Sequence, residues 1–141
     1  MGEIQTYRDL KAWQVGMEAV TLTYQLTADF PRQELYGLTS QMRRASLSIP
    51  SNVAEGDGMA MPRWSLRFIT TAIGSSLELE TQLEASVRLK YVSREQAKEL
   101  AQTIDRVQKL LYGMRRDRLR RLGIKIGGAT ALFLAMLHSV T

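Results

Sequence analysis

Four apolar stripes at helical spacing, divided by brief breaks, constrain this chain more than any other feature. Leu10, Trp13, Met17, Val20 and Tyr24 are spaced three and four apart, which sets them on one side of a helix. Asp9 is the N-cap candidate, and Phe30-Pro31 ends the segment because a residue before Pro avoids helical backbone. A second stripe runs Leu35, Leu38, Met42, Ala45, Ile49, Asn52, with a start expected near Pro31. Pro50 lies within it and removes the donor to the Ser46 carbonyl, so a kink is expected there, not a stop. Gly56-Asp57-Gly58 breaks the pattern. The third helix is expected to open at Pro62, with Leu66, Ile69, Ile73, Ser76, Glu80, Leu83 and Val87 on its stripe. Glu80 on that line is either off the core or a buried carboxylate that needs donors. Ser93-Arg94-Glu95-Gln96 reads as a capping box for a fourth stripe of Ala97, Leu100, Ile104, Val107, Leu111 and Met114. No segment alternates as strands do. The expected fold is all-α, an up-down-up-down four-helix bundle over residues 1–121, followed by an apolar C-terminal segment over residues 122–141.

Composition narrows the chemistry. The 141 residues include no Cys and one His, which excludes a disulfide scaffold, thiolate chemistry and a His-rich metal centre. No clustered carboxylates or His base stand at usable spacing, so no enzyme activity, cofactor or metal is expected. The opening residues lack the basic-then-apolar order of a signal peptide, and the cytoplasm is the expected compartment.

Charge is concentrated. Residues 1–105 carry 11 basic and 13 acidic side chains, whereas residues 106–121 carry seven basic ones against Asp117 alone. Those seven are Arg106, Lys109, Arg115, Arg116, Arg118, Arg120 and Arg121. Cations suit the negative end of a helix, but five Arg within seven residues exceed that role and form a footprint for phosphate or an acidic surface. The dispersed aromatics Trp13, Tyr24, Tyr36, Trp64, Phe68 and Tyr91 read as core or interface rather than as a base-stacking platform.

Ser48-Ile49-Pro50-Ser51-Asn52-Val53-Ala54-Glu55-Gly56 is an unusual string, with Arg43-Arg44 upstream and Gly74-Ser75-Ser76-Leu77-Glu78-Leu79-Glu80 downstream. Bidentate pairs of Arg43 or Arg44 with Glu55, Glu78 or Glu80, inside the bundle or between subunits, are the preferred reading, with Asn52 beside them. An acid/base or metal constellation of Asn52, Glu55 and Glu78 is the weaker alternative, because bundle metal sites usually add Glu-x-x-His pairs.

Together with Tyr7-Arg8-Asp9-Leu10, Trp13-Gln14 and Leu35-Tyr36-Gly37-Leu38, these strings resemble a bacterial four-helix-bundle family over residues 7–114. Its members were first found as reading frames inside intervening sequences of large-subunit ribosomal RNA genes. The accessory variability determinant of diversity-generating retroelements is a more distant likeness. The resemblance implies a homopentameric barrel without established catalytic activity. For the retroelement relatives it also implies contact with RNA and a reverse transcriptase through a basic surface.

After Met114 the likeness fades. Gly123, Gly127, Ala131 and Ala135 form a small-residue ladder. A helix over residues 122–137 would span about 24 Å, short of the roughly 30 Å of a bilayer core. The segment has three readings: an extra packed helix, a weak tail anchor with the Arg block on the cytoplasmic side, or a partner-docking end. Two functions follow. The leading one is an oligomeric, non-enzymatic nucleic-acid-binding accessory protein, with RNA favoured and the Arg block neutralising phosphates. The alternative is a protein-interaction scaffold whose Arg block and C-terminal segment dock a protein partner or a membrane surface.

Overall fold

The computed structural model describes residue 3 and residues 6–124. Among them are four α-helices and no strand: α1 (Lys11–Thr27), α2 (Leu38–Asp57), α3 (Pro62–Arg88) and α4 (Arg94–Arg121). Cross-links between helices establish antiparallel neighbours. Arg43 of α2 reaches Thr27 at the end of α1, Ser86 of α3 reaches Met42 near the start of α2, and Gln108 of α4 reaches Glu80 of α3. The bundle closes where Arg106 of α4 meets Glu18 of α1 at 2.9 Å.

Each helix starts for a local reason. Pro62 occupies the first turn of α3, where its missing N–H is not needed. Ser93 accepts from the Gln96 N–H while the Gln96 side chain accepts from the Ser93 N–H, the expected capping box. Two expected starts are corrected. Asp9 is not the cap of α1; it closes a capping box with Thr6 on a short 3-10 turn, and Leu10 precedes the helix. Pro31 does not open α2. It precedes a 3-10 turn over Arg32–Glu34, and α2 begins only after Gly37, where the Glu34 carboxylate accepts from the Leu38 N–H at 2.9 Å. A Cβ on Gly37 would stand 2.7 Å from that carboxylate oxygen, so a side chain there would push the capping carboxylate off Leu38.

The core is a column of apolar side chains, with Met42, Ile49, Ile69, Leu79, Ile104 and Leu111 fully buried. On α4 the buried residues follow the expected stripe. On α3 Ile69, Ile73, Ser76 and Leu83 do, but Leu79 takes the core place expected on the line of Glu80, which is exposed and accepts from Gln108 at 3.2 Å. On α1 the face is displaced. Ala12, Val15, Gly16, Ala19 and Thr23 face inward together with Val20 of the expected stripe, while Met17 and Tyr24 of that stripe stay exposed. The reason is proximity: a Cβ on Gly16 would touch Ile49 and Pro50 at 3.4 Å, so small residues occupy the seam and larger ones flank it. α2 continues through Pro50 to Asp57.

α4 runs without a break through the arginines and stops at Gly123. There a left-handed residue (φ 73°) lets Gly123 and Ile124 donate to the carbonyls of Arg120 and Leu119. The apolar extension expected beyond residue 122 falls, from residue 125 on, outside the described residues. Among the described residues, no helix is long and apolar enough to cross a membrane.

Candidate nucleic-acid interface

The antiparallel order puts the end of α2, the start of α3 and the end of α4 at one pole of the bundle. A single hydrogen bond fixes the last two: Arg118 Nε donates to Ser65 Oγ at 3.1 Å. Arg118 is largely enclosed, with 17% of its side chain exposed, and its Nη1 also meets Asp117 at 2.8 Å. Arg121 shares that carboxylate at 3.1 Å. Arg115 stacks over the Tyr112 ring with its guanidinium carbon 4.8 Å from the centroid. Arg116 and Arg120 have no carboxylate partner among the described residues. They are exposed, with their guanidinium donors available.

Arg106 and Lys109, expected in the same site, stand apart from it. Arg106 is about 18 Å up the helix axis from Arg118, at 1.5 Å per residue. It is engaged by Glu18, and Lys109 pairs with Asp105 one turn away at 2.9 Å. Such exposed pairs contribute little and are screened by salt.

The sequence also offers Arg43, Arg44, Arg63 and Arg67 as an extension of the cationic surface on α4 where ion pairs do not consume them, and folding sets two of these beside the block. Arg63 and Arg67 sit one turn apart on the exposed side of α3, again without a carboxylate partner among the described residues. Trp64 lies between them in sequence and is 48% exposed. Trp64, which the sequence suggests as core or interface, is the member of this group that charge patterning does not point to. The antiparallel order also sets carboxylates at this pole: Asp9 before α1, Glu55 and Asp57 at the end of α2, and Asp117 on α4.

The expected ion pairs of the motif region do not form within the chain. Arg43 points to α1 instead, where Nε donates to Thr27 Oγ1 at 3.0 Å and the guanidinium lies 4.5 Å from the Tyr24 ring centroid. Arg44 and Glu55 are exposed on the outside of α2. Glu78 accepts from Gln82, one turn along the same helix. Asn52 donates to the carbonyl and hydroxyl of Ser48, and Ser48 shares a 2.7 Å hydrogen bond with Ser75 of α3. A Cβ on Gly56 would meet Phe68 Cβ at 3.2 Å. The motif therefore builds a tight α2–α3 seam of small and hydroxyl side chains. Among the described residues, no group of three or more His, Cys, Asp or Glu is arranged to hold a metal ion.

Residues 8–113 match the family model of the 23S rRNA-intervening sequence protein. The chain belongs to that family. The match ends just before the first arginine of the C-terminal block, so the motif seam lies inside the family's span and the cationic end of α4 outside it. Among solved structures, a protein of unknown function from the S23 ribosomal protein family of Bacteroides thetaiotaomicron is similar at 22% identity and a TM-score of 0.66. The likeness covers 74% of this chain and 97% of that one. It shows that the bundle fold is shared. No curated protein matches the chain.

Proposed function

We propose that this member of the 23S rRNA-intervening sequence protein family is a non-enzymatic accessory protein that binds nucleic acid, RNA foremost, through the cationic pole. The observation that carries the reading is the pairing pattern. Arg116 and Arg120 on α4 and Arg63 and Arg67 on α3 lack carboxylate partners among the described residues, and the Arg118–Ser65 bond holds the two helices together at that end. Guanidinium groups without carboxylates suit phosphate oxygens, and displacing condensed counterions supplies affinity with little sequence readout. Self-association belongs to the same proposal. The family resemblance implies a pentamer, and Met17, Tyr24 and Leu47 leave apolar surface exposed on α1 and α2. Five cationic poles on one ring would act together on a single polyanion. The distant retroelement likeness extends the proposal to a ribonucleoprotein that serves a reverse transcriptase.

The test is a combined Arg115→Gln, Arg116→Gln, Arg120→Gln and Arg121→Gln variant, checked for helicity and titrated with a short RNA at low salt. A loss of affinity of tenfold or more is expected. Unchanged affinity overturns the proposal.

A further inference from the structure

Phosphate binding leaves one feature of the cationic pole unused. Trp64 is 48% exposed in the first turn of α3, and Met61 and Met59 just before it are 59% and 39% exposed. Neither aromatic pair among the described residues includes Trp64. Its sequence neighbours on the helix are Arg63 and, one turn on, Arg67, both exposed and without a carboxylate partner among the described residues. An apolar protein partner covering this turn would have to desolvate those cations without compensation. A polynucleotide offers both complements at once, phosphates for the guanidiniums and a π-face for the indole. In a duplex the base faces are covered by their neighbours, so only unpaired nucleotides present that face.

We propose that Trp64, flanked by Arg63 and Arg67, is a stacking platform that makes this pole prefer single-stranded over duplex nucleic acid. The inference rests on the cationic-pole reading above and adds the class of ligand. Trp64 reads unpairedness, and the arginines of α3 and α4 supply affinity that does not distinguish strands. Sugar identity plays no part in stacking, so unpaired RNA and DNA both engage the indole.

The chain has two tryptophans, so the experiment uses a Trp13→Phe background in which Trp64 is the only fluorophore of its kind. Oligo(U), oligo(dT) and a duplex of equal length are titrated at low salt. Quenching by both single strands, with weaker or no quenching by the duplex, is expected. Trp64→Ala in the full chain should weaken single-strand binding by between about fivefold and a hundredfold, leave duplex binding unchanged, and keep its helicity. Trp64→Phe should restore most of the loss. Equal affinity for single strand and duplex, or no effect of Trp64→Ala, overturns this inference and assigns the exposed turn to a protein contact. If Arg116→Gln with Arg120→Gln still weakens both ligands in that case, the cationic-pole reading stands. If the unmodified chain binds none of the three ligands, both readings fall.

Discussion

Lys90 follows α3 in a left-handed conformation, φ 63°, where helix ends favour glycine. The turn is held by Tyr91 and Lys90 donating to the carbonyls of Ser86 and Val87, so the strain persists because the surrounding bonds over-determine it. Lys90→Gly should therefore stabilise the fold by about 0.5–1 kcal/mol in urea denaturation, the relief of the Cβ clash outweighing glycine's extra unfolded-state freedom. A loss of stability would contradict this account of the turn. Glu84 gives a pH signature nearby. Hydrogen bonds from Arg94, then from Arg88, hold its carboxyl down at about 2 from an ordinary 4.5, although it is on the surface. A depressed carboxyl pKa stabilises the fold above the unfolded value and loses that contribution as pH falls from about 4.5 toward 2. The Glu84 carboxyl resonance should titrate near pH 2 at low salt and move back toward ordinary values in high salt or in Arg94→Gln. A midpoint near 4.5 at low salt would show that the bonds do not persist in solution.

At the scale of elements, Gly74 is the anomaly. It lies mid-helix in α3, is exposed, and has open space where a Cβ would stand. Gly74→Ala should add about 1 kcal/mol to the stability of the single chain, again by urea denaturation. By contrast Gly16→Leu, forced against Ile49 and Pro50, should cost about 1–3 kcal/mol through overpacking. These seams explain how far the helices were legible. α3 and α4 were readable because their start signals are local, Pro62 and the Ser93–Gln96 box, and because their large apolar residues face inward. On α1 the inward face mixes Val15 and Val20 with the small Ala12, Gly16, Ala19 and Thr23, and a pattern weighted by side-chain size catches Val20 but otherwise follows Trp13, Met17 and Tyr24 along its edge. The start of α2 depends on a carboxylate reaching across the Gly37 backbone to Leu38, a contact that no periodicity encodes.

For the whole molecule, the charge of the candidate site is legible in the sequence and its apolar part is not. Arg115, Arg116, Arg118, Arg120 and Arg121 announce themselves as a run and Arg63 and Arg67 as an extension of it, whereas Trp64 joins them only because α3 and α4 run antiparallel and Arg118 reaches Ser65. The reverse holds for Arg106 and Lys109, which share the run but are drawn off by Glu18 and Asp105. Solution mass should report an assembly several times the 15.9 kDa chain, five-fold on the proposed ring, before and after RNase treatment. A lone chain at micromolar concentration would remove the ring and its multivalency. The central claim, a cationic pole that neutralises phosphates, is tested most directly by measuring the affinity for an unstructured RNA across a salt series. The account predicts a linear fall of log K with log salt, with a slope near −0.7 per neutralised phosphate. It also predicts that Arg116→Gln with Arg120→Gln makes the slope shallower by about 1.4 for each pole that engages the strand. Affinity indifferent to salt, or a slope unmoved by those two substitutions, would contradict it.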